Sequence, residues 1–115
     1  MRICVLVVLS LFSLISHAEQ YTCTYTGYLN NEPVLLKIHI DGAKAYVGDE
    51  EYEVVENTRI GVVLVRSFAF HSDNRQRDEV GLFGLVINKS TLAMTRGNII
   101  QGDADGAVRH GLCIR

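Results

Sequence analysis

Side chains along most of the chain alternate between apolar and polar with a period of two, and this alternation constrains the fold more than any other feature. In residues 33–41, aliphatic side chains occupy every second position from Val34 to Ile40, and Lys37 and His39 lie between them. Successive side chains of a β-strand point to opposite faces of its sheet, so this period predicts strands. No segment shows a convincing helical period.

Turn-forming residues separate the alternating segments. Asp41-Gly42 is typical of a two-residue hairpin, because glycine accepts the positive φ that a type I′ turn demands. We predict eight antiparallel strands, which are residues 21–29, 33–41, 43–47, 51–55, 60–70, 80–87, 92–101 and 107–115. Such closely spaced strands predict an all-β domain, a meander that closes as a small barrel or folds as a sandwich.

Two of the predicted strands, residues 60–70 and 80–87, are apolar at nearly every position. An antiparallel strand with one wet face should alternate, whereas a strand covered on both faces reads as a continuous apolar run. Either these strands lie in the middle of a sandwich, or their outer face contacts another molecule. We therefore predict self-association, or contact with another protein, through residues 60–70 and 80–87.

The first 18 residues have the anatomy of a signal peptide. Arg2 supplies a positive charge, residues 3–15 are almost wholly apolar, and Ser16-His17-Ala18 places small residues at positions −3 and −1 of a cleavage site. The apolar stretch is shorter than the roughly 20 residues that a membrane-spanning helix needs. We therefore predict a signal peptide at 1–18 and a single exported domain at 19–115, periplasmic or secreted, with no membrane span after cleavage.

Cleavage would remove Cys4 and leave two cysteines, Cys23 and Cys113, in the first and last predicted strands. Two cysteines in an exported chain most simply form one disulfide. A disulfide requires Cα atoms within about 7 Å of each other. The sequence therefore predicts that the first and last strands are neighbours where the meander closes, and that the compartment is oxidising.

Composition and spacing argue against several classes of function. The formal net charge is −2 at pH 7, whereas a nucleic-acid-binding domain needs a basic face to neutralise phosphates. Residues 103–106 resemble the start of a calcium loop, but the glycine comes too early and the ligand at position 12 is missing. The adjacent acids at 49–51 are typical of a solvated turn rather than of a glycosidase pair. No catalytic group, metal, cofactor or nucleic-acid partner is predicted.

Three histidines lie in the part of the chain that follows the leader. His110 shares its phase with Val108 and Leu112, so we predict that it points inward. His39 lies on the polar side of its strand and is predicted to be solvated. His71 is followed two residues later by Asp73, but no nucleophilic serine lies in the strained turn that hydrolases use.

The polar segment 71–79 between the two apolar strands is the best candidate for a binding site. A loop mounted on a rigid scaffold commonly carries binding. Four residues of this segment are the predicted site, and they are His71, Asp73, Arg75 and Arg77. Arginine can hold a carboxylate or phosphate with two parallel hydrogen bonds. A charged hairpin that keeps a sheet edge soluble is the simpler explanation of the same residues.

The overall arrangement is a leader, a Tyr-x-Cys strand at 21–23, an all-β body and a Gly-x-Cys ending at 111–113. It resembles many small exported β-proteins of Gram-negative bacteria, some of which inhibit host lysozymes. No motif is specific enough to assign inhibitory residues from this resemblance. We expect a non-enzymatic binding or inhibitor module. The alternative is a small β-barrel carrier of an apolar ligand, which a closed apolar chamber would favour.

Overall fold

A computed structural model of the chain describes residues 18–27, 32–74, 76–101 and 108–115. Eight strands run through these residues, and they are β1 (Glu19–Thr26), β2 (Pro33–Asp41), β3 (Lys44–Val47), β4 (Glu50–Asn57), β5 (Gly61–Ser72), β6 (Arg77–Asn88), β7 (Ala93–Ile100) and β8 (Val108–Ile114). The described part of the chain contains no helix long and apolar enough to cross a membrane. The predicted all-β class and the eight strands are confirmed.

The strands pair in sequence order, each antiparallel to the next, and β8 pairs with β1 to close a barrel. The sequence left both a barrel and a sandwich open, and the fold is a barrel. Cys23 on β1 lies directly opposite Cys113 on β8, with Cα atoms 3.9 Å apart, and the two form a disulfide. The predicted pairing and the closure of the meander are confirmed. A disulfide is typical of an oxidising compartment, while the predicted leader lies almost wholly outside the described residues.

The core fills the inside of the barrel. Every second side chain of each strand points inward, as the period of two predicts. Tyr52 is 2% exposed and Val54 packs against the core, whereas Glu51 and Glu53 face solvent. The largest fully buried side chains come from five of the eight strands, and they are Tyr21, Ile38, Ile40, Val62, Leu64, Leu85, Ile87 and Met94, with Cys23.

Two glycines turn the chain on either side of β3. The loop between β2 and β3 consists of Gly42 and Ala43, and Gly48 begins the loop between β3 and β4. Gly42 and Gly48 have φ angles of 63° and 61°. A positive φ at the first central position alone is the pattern of a type II′ turn. The central residues of the turn are Gly42 and Ala43, one position later than expected, so the prediction of a type I′ turn at Asp41-Gly42 is wrong.

The prediction that His110 points inward is wrong. Cys113 must face inward to reach Cys23, so on β8 the alternate positions face outward, and His110 is one of them. The two aliphatic neighbours in phase with it, Val108 and Leu112, are 51% and 66% exposed. His110 Nδ1 lies 2.9 Å from Thr95 Oγ1 on the same outer face. Its apolar neighbours belong to an outer apolar surface and not to the core.

Candidate functional site

The most distinctive element of the barrel is a hairpin that extends past its neighbours. The pairing of β4 with β5 ends at Glu53 and Val65, whereas β5 and β6 remain paired as far as Ser72 and Arg77. The strands therefore reach into the polar segment 71–79, and the loop itself is shorter than predicted. We call residues 66–81 the projecting hairpin.

The tip of the projecting hairpin carries the predicted site residues. His71 Nδ1 lies 2.9 Å from Asp78 Oδ1 across the hairpin, and His71 Nε2 lies 3.8 Å from Asp73 Oδ1. Arg77 contacts Glu79 at 3.6 Å, and Arg75 lies outside the described residues. The side chains of Asp73 and Asp78 are 96% and 85% exposed. The structure thus brings His71 and Asp73 together, but the nearer partner of His71 is Asp78, which the sequence did not indicate.

Both faces of the projecting hairpin carry exposed apolar side chains. Phe70 is 52% exposed on the face that continues the barrel interior, and Val80 is 48% exposed on the opposite face. The Phe68 ring packs between Phe70 and Phe83, with centroid distances of 5.8 Å and 5.2 Å. A soluble hairpin normally keeps at least one face polar. Exposed apolar groups on both faces make the hairpin a candidate surface for contact with another molecule.

Two arginines lie at the end of the barrel from which the hairpin projects. Arg66 and Arg96 are in phase with the core residues of β5 and β7, so their side chains face inward. Arg66 forms an ion pair of 2.8 Å with Glu50. This pair lies beside a cleft of about 440 Å³, lined by residues of β3, β4 and β5, where β4 and β5 separate.

Arg96 is held by two tyrosines. Its Nη1 donates a hydrogen bond of 3.1 Å to the Tyr25 hydroxyl, and the guanidinium lies 5.5 Å from the centroid of the Tyr25 ring. Burial raises the pKa of Tyr52, and the neighbouring Arg96 acts in the opposite direction. A half-buried guanidinium that lies over the Tyr25 ring and bonds its hydroxyl is fixed in position, and this arrangement favours contact with a carboxylate or a polar backbone group. Neither Arg66 nor Arg96 was indicated by the sequence.

The outer surface of β5 to β8 is largely apolar. Gly84 on β6 lies opposite Gly97 on β7, and the two form the floor of a shallow depression of about 270 Å³. Aliphatic side chains surround it, and they are Val63, Val65, Leu82, Val86, Ile99 and Val108. Ile99 is 68% exposed and Val86 is 44% exposed. Nothing in the described chain covers this surface, so contact with another molecule through strands 60–70 and 80–87 remains a prediction.

A polar network lies at the opposite end of the barrel. Lys89 Nζ donates to Asn57 Oδ1 at 2.7 Å and to Glu19 Oε1 at 3.3 Å. Glu19 also accepts from Asn57 Nδ2 at 3.1 Å and from the Tyr21 hydroxyl at 2.7 Å. Burial and the carboxylate of Glu19 raise the pKa of Tyr21 to about 12. Each donor is matched to an acceptor, and we interpret the network as one that seals the barrel and holds the start of β1.

The described residues do not contain three or more His, Cys, Asp or Glu side chains grouped to hold a metal ion. Comparison of the chain with protein-family models, with curated proteins and with solved structures found no match. The fold that is shown is a small eight-stranded antiparallel barrel closed by a disulfide between its first and last strands.

Proposed function

We propose that this chain is a non-enzymatic binding or inhibitor module of an exported compartment, and that it binds another protein through the projecting hairpin. The observation that carries the proposal is the exposure of Phe70 and Val80 on opposite faces of the same hairpin. A hairpin that is apolar on both faces fits a cleft in a partner, because both faces lose water when it enters. Fully burying a large apolar side chain contributes about 1.5–3 kcal/mol.

The charged tip supports recognition of a protein. His71, Asp73, Arg77 and Asp78 place both signs of charge within a short segment. Exposed charges at the rim of an interface orient the partner and raise the association rate more than they raise affinity. The four residues would therefore contribute selectivity, and Phe70 and Val80 would contribute most of the binding free energy.

The filled interior favours the binding module over the alternative, a carrier of an apolar ligand. Side chains such as Leu64, Leu85 and Met94 occupy the centre of the barrel and are at most 1% exposed. An apolar ligand of ordinary size would have to displace several of them, because protein interiors are close-packed. A ligand seated on the outer surface of β5 to β8 would lose less water than one in a closed chamber.

The proposal is tested by capture of partners from the exported fraction of the source cells. We expect the double variant Phe70→Ser, Val80→Ser to lose a partner that the native chain retains. Leu35→Ser is the matched control, because Leu35 is 62% exposed on β2, away from the hairpin. Equal capture by all three proteins would remove the hairpin from the proposal. A stoichiometric apolar small molecule found by native mass spectrometry would favour the carrier instead.

Two further measurements test the remaining parts of the proposal. N-terminal sequencing of protein isolated from its native source should begin at Glu19 if residues 1–18 are a cleaved leader. Replacing Arg77 with Ala should slow association and make it less dependent on salt, because exposed charges are screened by ions. An unchanged association rate would remove Arg77 from the binding surface.

A further inference from the structure

The outer edge of β5 offers backbone hydrogen-bonding groups for another strand. Gln101 N donates a hydrogen bond of 2.9 Å to Val80 O, so the backbone polar groups of Val80 point toward β7. Val80 lies opposite Ala69 on β5. The N–H and C=O of Ala69 therefore point away from β6, and those of Ser67 and His71 do the same because the direction alternates along a strand.

Residues 67–72 of β5 have β6 as their paired strand, and no strand of the described chain pairs with their other side. We call this side of residues 67–72 the open edge. Proteins usually protect such an edge with a lysine, a proline, a bulge or a covering segment. The sequence from Ser67 to Ser72 contains no lysine or proline, and the bulge of the neighbouring strand lies elsewhere, between Val54 and Glu56.

We propose that the open edge pairs antiparallel with the open edge of a second copy of the chain, about a two-fold axis at Ala69. The segment Ser67-Phe68-Ala69-Phe70-His71 is nearly symmetric about its central residue. In this register Ala69 lies opposite Ala69 of the other copy, and Phe68 lies opposite Phe70. About six backbone hydrogen bonds form, because the three residues whose polar groups face the edge each donate and accept in both copies.

The side chains of the two copies are compatible in this register. Phe68 and Phe70 share one face, and their rings already pack at 5.8 Å within one chain. Pairing brings two such pairs together across the axis, where directly opposite side chains are closest. The segment 67–71 contains one titratable side chain, His71, and it lies opposite Ser67. No like charges are brought face to face, and the apolar outer surfaces of the two barrels become continuous.

This symmetry is the reason to name a second copy rather than an unrelated strand. A foreign strand would need its own aromatic residues at matching positions, whereas an antiparallel copy presents them necessarily. The inference concerns the same hairpin as the proposed function but does not rest on a foreign partner. Dimerisation and capture of a partner are separate measurements, and either can fail without the other.

Sedimentation velocity over a wide range of concentration tests the pairing. We expect the native chain to show a monomer–dimer equilibrium and Ala69→Pro to raise its dissociation constant by about tenfold or more. Proline removes the N–H that faces the open edge and costs no hydrogen bond to β6, so the barrel should keep its circular dichroism spectrum. Leu35→Ser is the control and should dimerise normally.

Ala69→Cys tests the register in folded protein and does not depend on the proline variant. In the proposed register the two copies of residue 69 form a hydrogen-bonded pair, whose Cα atoms lie about 5.5 Å apart, and this distance suits a disulfide. Mild oxidation should therefore join two copies through residue 69, and Leu35→Cys should not form the same product.

A native chain that is monomeric at every concentration would overturn the proposal. A dimer that survives Ala69→Pro and is not trapped by Ala69→Cys would overturn it too, because the contact would lie elsewhere. Loss of partner capture on Ala69→Pro, with a monomeric native chain, would assign the open edge to a foreign strand.

Discussion

Gly81 on β6 lies directly opposite Phe68 on β5, and the Phe68 ring occupies the space that a side chain at position 81 would need. A Cβ added at Gly81 would come within 2.6 Å of Phe68 Cζ and within 2.4 Å of the backbone oxygen of Ile99. We expect Gly81→Ala to destabilise the protein by about 1–3 kcal/mol, because β6, β7 or the Phe68 ring must move. Urea unfolding followed by circular dichroism measures this change.

Gly84→Ala on the same strand is the matched control for Gly81→Ala. A Cβ at Gly84 would meet one side-chain atom, Leu82 Cδ1, at 4.0 Å. Replacing glycine by alanine without strain stabilises by about 0.4–1 kcal/mol, because the unfolded chain has fewer conformations. Equal effects of the two substitutions would contradict the packing of Phe68 against Gly81.

The disulfide should contribute a large share of the stability. Cys23 and Cys113 are 90 residues apart in sequence, and both are buried. We expect the double variant Cys23→Ala, Cys113→Ala to lose about 2–4 kcal/mol of unfolding free energy, since the open chain gains conformational entropy when it unfolds. Thermal unfolding with and without reductant measures the effect. Reductant should lower the midpoint temperature of unfolding of the native chain and leave that of the double variant unchanged. The same midpoint for both proteins, with and without reductant, would rule out a stabilising bond.

The Glu19 network should make stability depend on pH in the acid range. Burial acts to raise the pKa of Glu19, but hydrogen bonds from Tyr21, Asn57 and Lys89, with the charge of Lys89, hold it below its usual value of 4.5. A carboxylate with a lowered folded pKa stabilises the protein above its unfolded pKa, and this contribution is lost as the pH falls through the folded value. Glu19→Gln should therefore be less stable than the native chain near neutral pH, and the difference should shrink as the pH falls below the usual pKa of the carboxyl.

Urea unfolding of both proteins over the acid range measures this dependence. The control is Lys89→Gln, made alone and together with Glu19→Gln. Because the two side chains interact directly, the double variant should lose less stability than the two single losses added together. A stability difference between the native chain and Glu19→Gln that stays constant from neutral to acid pH would contradict the role given to the carboxylate.

Arg96 should affect the ionisation of Tyr52 as well as stability. The guanidinium opposes the effect of burial on the pKa of Tyr52 and bonds the Tyr25 hydroxyl. We expect Arg96→Met to raise the pKa of Tyr52 further and to cost about 1–2 kcal/mol of unfolding free energy. Ultraviolet titration of the tyrosines and urea unfolding measure these effects. Arg59→Met, in the loop before β5, should change neither, and an unaltered tyrosine titration in Arg96→Met would show that Arg96 does not act on Tyr52.

The strands and their closure could be predicted because both depend on local pattern and on one covalent constraint. Alternation places Tyr52 inward and Glu51 outward whichever strand lies beside them. The pairing of Cys23 with Cys113 then makes neighbours of the first and last strands. The same constraint would have corrected the predicted orientation of His110, because an inward Cys113 requires an outward His110. The aliphatic residues of β8 lie on its outer face, at Val108, Leu112 and Ile114, and this concealed the phase.

The candidate site could be predicted less well, because it depends on register and on how far the strands extend. His71 was paired with Asp73 by sequence proximity, but its nearer partner Asp78 lies across the hairpin. Arg66 and Arg96 were missed because charged side chains are not expected in phase with a core. At the end of a barrel such side chains can face inward and still reach water, and only the closed topology shows where that end lies.

The bond between Cys23 and Cys113 has a further consequence for association. The eight strands and this bond together form a covalent ring around the barrel, so neither terminal strand of an oxidised chain can be donated to another molecule. Domain swapping of β1 or β8 is therefore open only to chains that meet before oxidation. A dimer of oxidised protein therefore cannot form by exchange of β1 or β8, whereas pairing at the open edge joins two intact barrels. The order of oxidation and association would thus decide which of two different dimers a cell produces.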